Sequence, residues 1–212
     1  SREIERAVKK VGRRKPIPHD TSVPGIPSTN AIAENQVKLA VRGTRFSLLQ
    51  AGLPACFWPL AARCWAFLRN AALRDGDSSY NKRHKQGHID IKKLLPFGCF
   101  VQFIPSPVIR RRKTRKVSPP TVPGILVGYK TLAGGLWDRV YECIALDDFA
   151  GCDFHRDTSM DKFDVYVPTV RELVWDRCDW ERFPCKEFYD RDNNTLGGIT
   201  RCIRPDVAHA LA

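Results

Sequence analysis

The chain lacks an apolar run long enough to cross a bilayer: about 20 uninterrupted apolar residues are needed, and Arg63 and Arg69 break its most apolar stretch. No membrane partner is expected. No secretory leader is expected, and the chain lacks an internal repeat and any Cys-x-x-Cys pair among its eight cysteines, Cys56, Cys64, Cys99, Cys143, Cys152, Cys178, Cys185 and Cys202. Without a leader, free thiols are a better reading than a disulfide framework, since several sit inside apolar runs such as Phe97-Gly-Cys-Phe-Val101. A reducing compartment, nuclear or cytoplasmic, follows. The first residue is Ser1 rather than Met, as expected of a processed, truncated or excised product.

What the chain has is a globular balance, 43% hydrophobic and 27% charged over 212 residues, enough for one ordinary domain or two small ones. Its net charge of +12 is unevenly spread: residues 1–92 hold 17 basic and 7 acidic side chains, 93–141 hold 9 and 1, and 142–212 hold 9 and 15. A basic front joined to an acidic tail favours a polyanionic partner, most simply nucleic acid.

Residues 2–11 have helical spacing, with Ile4, Ala7, Val8 and Val11 on one side, and a Pro-rich stretch from Pro16 to Pro27 follows. Asn30 can cap a second helix whose inward stripe is Ala33, Val37, Ala40, Val41, Thr44 and Leu48. At about 100° per residue, Glu34, Lys38, Arg42 and Arg45 fall within about 80° of one another outside that stripe. One carboxylate thus leads a basic row. Gly52 and Pro54 break the chain, and 56–68, with Phe57, Trp58, Trp65 and Phe67, reads as a helix buried against a sheet or another helix.

From Arg74 to Lys92 the composition turns to Asp, Gly, Ser, Asn, Lys and His, which marks a linker. Strand-like runs follow at 99–104, 124–129, 139–146, 164–167 and 169–174, a spacing that suggests a small barrel. Beyond Trp175 the chain is mixed and acidic, with a turn at Asn193-Asn-Thr-Leu-Gly-Gly198, and weak order is expected toward Ala212.

Two ordered blocks carry a family resemblance. Asn30-Ala-Ile-Ala-Glu34 with Gly52-Leu-Pro54 and Phe57-Trp58 forms the first; Phe97-Gly-Cys99 and Pro123-Gly-Ile-Leu-Val-Gly-Tyr129 form the second. Together they resemble the end of a copia-type retrotransposon integrase, part of a Pol polyprotein, over most of residues 1–150. The resemblance implies an α+β chain: a helical C-terminal remnant of an RNase H-like core over 1–74, a linker over 75–92, an SH3-like β-barrel over 93–176 and an acidic, weakly ordered tail over 177–212.

The chemistry implied is DNA integration by an Asp-Asp-Glu polynucleotidyl transferase. Two divalent cations, Mg²⁺ or Mn²⁺, clamp the attacking and leaving oxygens of an in-line displacement, and hard cations need carboxylate oxygens. Glu34 matches the third carboxylate, the catalytic and metal-binding position. The family's spacing places the second just before Ser1, and Asp20 is too close to replace it. Ala31, Asn35 and Val37 depart from the family's usual residues beside that position. The parent's cation is therefore not expected to bind tightly here, and the chain is expected to be inactive alone.

Lys38, Arg42 and Arg45, about one turn apart, could follow a phosphate backbone, and the alternative is a solvated face. Arg110, Arg111, Arg112, Lys113, Arg115 and Lys116 place six cations in seven positions of an expected barrel loop, suited to phosphates or to a nuclear localisation signal. Arg13-Arg-Lys15 is a weaker form of the same feature. Zinc ligation by His84, His88 and Cys99 lacks its Cys-x-x-Cys half. Cys56, beside Phe57 and Trp58, is in a setting that raises a thiol pKa instead of activating it.

The expected partners are DNA, with RNA as the alternative, the missing N-terminal part of the integrase core, and further copies of the chain. The rival readings are a non-enzymatic DNA- or RNA-binding module from a decayed element, and a protein-interaction domain whose basic run faces an acidic partner.

Overall fold

The computed structural model describes residues 31–105, 120–150, 152, 154, 158–163, 165 and 167–187. The helix expected at 2–11, the Asn30 cap, the basic run at 110–116 and the turn at 193–198 lie outside them. Two compact units divide the chain, residues 1–38 and 39–212.

Helix α1 spans Ala31–Ala51. Its end follows from Gly52, whose φ of 68° no β-carbon favours. There the Leu53 N–H donates to the Leu48 carbonyl at 3.2 Å, closing the last turn. Helix α2 spans Trp58–Ala71, with Pro59 in its first turn where a missing N–H costs nothing. Two short strands follow, β1 (Leu73–Arg74) and β2 (Asp77–Ser78), paired antiparallel. A six-residue helix, α3 (Ser79–His84), and a 3-10 turn at Ile91–Lys93 complete the stretch whose composition predicts a linker.

The main sheet is antiparallel, in the order β3 (Phe100–Phe103), β4 (Val122–Thr131), β5 (Trp137–Ala145), β6 (Thr169–Val170). The α+β class expected from the sequence is the class observed. Barrel closure by regular strands is not formed among the described residues; irregular chain after β6 covers the outer edge of β3 instead. The Val174 N–H donates to the Gln102 carbonyl at 2.8 Å, the Asp179 N–H to the Phe100 carbonyl at 3.1 Å, and the Phe100 N–H to the Arg182 carbonyl at 2.8 Å. An edge capped in this way offers no template for pairing with another chain.

The expected run at 169–174 shortens to Thr169–Val170, and Val165 and Val167 carry no strand. Conversely β4 and β5 are longer than expected, starting at Val122 and Trp137. Pro123 is tolerated because it is the second residue of β4 and pairs only with β3, the ladder to β5 beginning at Gly124.

Helix α2 lies on β4, burying Phe57, Ala61, Cys64 and Phe67. Phe67 stacks on Tyr129 with ring centroids 4.3 Å apart and meets Trp137 edge-on at 5.6 Å. Phe57 meets Phe163 edge-on at 5.0 Å. Burying each such ring stabilises by about 1.5–3 kcal/mol before packing is counted. The Tyr129 hydroxyl accepts from the Leu95 N–H at 2.6 Å and donates to the Leu95 carbonyl at 2.8 Å, tying the approach to β3 onto the sheet.

The two motif blocks meet inside this fold. Gly98, at φ 81°, lies so close to Ala51 at the end of α1 that a β-carbon there would overlap the Ala51 methyl. Gly43 plays the same part between helices, since a β-carbon would overlap the Trp65 indole of α2.

Candidate nucleic-acid interface

The first link is local. Glu34 lies in the first turn of α1, where a carboxylate complements the helix dipole. Glu34, Lys38, Arg42 and Arg45 are all exposed, and no ion pair joins Glu34 to Lys38. Lys38, Arg42 and Arg45 thus project about one turn apart along a regular helix, with their charges toward solvent. Point charges so spaced can contact phosphates, and they carry no device for reading bases.

The inward stripe expected on α1 is only partly buried. Thr44 is buried, its hydroxyl donating to the Ala40 carbonyl at 2.8 Å, and Ala40 and Leu48 are half-buried. Ala33, Val37 and Val41 are exposed, which corrects the expectation. Apolar spacing defines a face, but the described residues supply no surface to cover its first half.

Among the described residues, Glu34 included, no group of three or more His, Cys, Asp or Glu side chains could hold a metal ion. A two-metal site needs several oxygen ligands, so the described residues by themselves do not fit the implied cation pair. His84 and His88 are engaged elsewhere. His84 lies over Tyr80 at 4.6 Å between centroids, and His88 Nδ1 approaches Asp77 Oδ1 at 3.7 Å.

Cys56, Cys64, Cys99, Cys143, Cys178 and Cys185 are free thiols, and Cys64, Cys99, Cys143 and Cys185 are buried. Burial pushes the Cys56 thiol up, backbone hydrogen bonds at Cys56 and Phe57 opposing it only in part. It also pushes Cys185 up to about 12. Neither is set up as a nucleophile.

Sequence reasoning passed over a second group of cations. Lys82, Arg83, Lys85 and Lys92 are exposed and Lys93 half-buried, none in an ion pair among the described residues. The available signal was the charge itself, five cations against two carboxylates between positions 77 and 93.

No helix among the described residues is long and apolar enough to cross a membrane. No protein-family model matches the chain, and no solved structure matches it. Over 144 residues, 66% of the chain, it is 28% identical to the retrovirus-related Pol polyprotein from transposon TNT 1-94 of Nicotiana tabacum. The match covers 10% of that polyprotein, so the chain spans about a tenth of the curated relative's length. The chain is similar to a segment of a retrotransposon Pol polyprotein.

Proposed function

We propose that this chain is the C-terminal part of a copia-type integrase: the last helices of an RNase H-like core followed by an SH3-like domain. Its own activity is binding the phosphate backbone of DNA. The observation that carries the reading is the 28% identity to the Pol polyprotein over 144 residues. The contact of Gly98 with Ala51 supports it, because it joins the two motif blocks on which the integrase resemblance rests.

Catalysis does not follow from Glu34 alone, and no step is derived for it. Lys38, Arg42 and Arg45 on α1 and the six cations at 110–116 are the proposed DNA contacts. Duplex DNA binding is then steeply salt-dependent, and replacing Arg110, Arg111 and Arg112 together with Ala makes the slope of log K against log salt shallower by about three. Fluorescence anisotropy at several salt concentrations measures this, and absence of binding at low salt would leave only the protein-interaction reading. Mg²⁺-dependent strand transfer is expected to be undetectable; a robust signal abolished by Glu34→Ala would show that the chain assembles a working site.

A further inference from the structure

We propose that residues 77–93 form a pre-shaped clasp that presents Lys82, Arg83 and Lys85 to the phosphates of duplex DNA, a contact separate from α1 and from the 110–116 run. The inference rests on the nucleic-acid reading above and names a further site for it.

Three observations carry it. The first is a sorting of charge by sign. Asp77 Oδ1 accepts from the Ser78 N–H at 2.7 Å and from the Asn81 amide at 3.0 Å, and Asp90 Oδ1 accepts from the Lys92 N–H at 3.0 Å. Both carboxylates bond to backbone or side-chain groups of the loop itself, and Asp77 also faces the His88 ring at 3.7 Å. The cations of the same stretch form no ion pair among the described residues.

The second is orientation. Tyr80 is buried, its hydroxyl accepting from the Trp137 N–H at 3.0 Å, and His84 lies four positions on, over the same ring. At about 100° per residue, Lys82 falls some 160° from Tyr80 and Arg83 some 60°. The helix is held by its Tyr80 side with Lys82 outward.

The third is rigidity. Asn81 is the hub: its amide nitrogen donates to Asp77, its amide oxygen accepts from the Gly87 N–H at 2.8 Å, and its carbonyl accepts from the Lys85 N–H at 2.8 Å. Ser78 Oγ caps α3 by accepting from the Asn81 N–H at 3.0 Å, and the His88 ring returns to Ser78 at 3.4 Å. Lys85 sits at φ 56° within this frame. A loop without such bonds would leave three long side chains on moving backbone.

Cations in the last turn of a helix also complement its dipole, and a solvated basic face is the plain alternative. The fixed backbone distinguishes the two: Asn81 ties Asp77, Lys85 and Gly87 into one frame from which the cations project, which a merely solvated face does not need. Duplex DNA is the favoured polyanion. Lysines act as point charges on phosphate, and the clasp's exposed ring, His88, is held at Asp77 and Ser78, 3.7 and 3.4 Å away, rather than offered to an unpaired base.

The test compares the full chain with Lys82→Ala/Arg83→Ala/Lys85→Ala by anisotropy on a labelled DNA duplex of random sequence across a salt series. Lys82→Arg/Lys85→Arg preserves charge, and Asn81→Ala removes no charge but opens the clasp. The triple variant should lower the salt slope by about three, roughly one per cation. The arginine variant should bind as the parent does, and Asn81→Ala should bind several-fold more weakly. Parent-like slope and affinity in the triple variant, with the Arg110/Arg111/Arg112 variant impaired, would overturn the clasp and leave the DNA reading standing. Failure of the parent chain to bind duplex at low salt would overturn both. Tighter binding to single-stranded RNA than to duplex, lost in the triple variant, would overturn the choice of DNA.

Discussion

Helices α1 and α2 follow one another in the chain and are both amphipathic, yet they end in different situations. Along α2 the face toward the sheet is spent: Ala61, Cys64, Phe67 and Ala71 are buried, and of its large apolar residues only Trp58, at its first position, is exposed. Along α1 only Thr44 and Ala51 are buried, while Ile32, Val37, Val41, Phe46 and Leu49 stay exposed. The difference teaches that periodicity states which face of a helix would be buried, and that the rest of the fold decides whether it is.

The sharpest way to break the comparison is to remove one ring from each helix. Phe67→Ala, at 9% exposure and stacked between Tyr129 and Trp137, is expected to cost about 3–5 kcal/mol. Phe46→Ala, at 63% exposure, is expected to fall within about 0.5 kcal/mol of the parent. Urea denaturation of both variants decides it. A large loss at Phe46 would mean that α1 is covered in solution and that the two helices are alike after all.

A smaller effect sharpens the point where the helices touch. Gly→Ala inside a helix ordinarily gains up to about 1 kcal/mol. At Gly43 the added methyl would overlap Trp65, so Gly43→Ala is expected to destabilise by about 1–3 kcal/mol instead. A stabilised Gly43→Ala would show that α1 can move away from α2 at little cost, and the close packing of the pair would not hold.

The same contrast explains what was legible in the sequence. Helix α2 and strands β3, β4 and β5 were readable because their apolar residues are buried where their spacing places them. The extent of α1 was readable too, but its stripe was read as wholly inward, since Ala33, Val37 and Val41 carry the right spacing without a partner. Residues 74–92 were read as a linker because Asp, Gly, Ser, Asn and Lys mark loops on average. Here Asp77, Ser78, Asn81 and Asp90 each hydrogen-bond nearby backbone, which turns a loop composition into a fixed shape. Lys38, Arg42 and Arg45 are exposed along α1, whereas Lys82, Arg83 and Lys85 were hidden by that linker reading. Long-range meetings such as Gly98 with Ala51 have no local signature at all.

The weakest expected effect concerns the clasp's own stability. Asp77 is held below its ordinary value of 3.8 mainly by the Asn81 amide, with the Ser78 N–H, His88 and Lys82 adding to it and burial opposing it. A carboxyl whose folded pKa is depressed contributes stability above its unfolded pKa, and that contribution is lost as pH falls through the lower folded value. The loss therefore belongs below about pH 4. Asn81→Ala removes the largest cause and should bring Asp77 back toward its ordinary titration. Thermal midpoints measured from about pH 6 down to pH 2 should then fall less steeply at the acid end for Asn81→Ala than for the parent, although the variant starts lower. Equal acid slopes would mean that Asp77 gains nothing from Asn81 in solution. The hub of the clasp, and with it the reason for treating residues 77–93 as a rigid counterpart to α1, would then be lost.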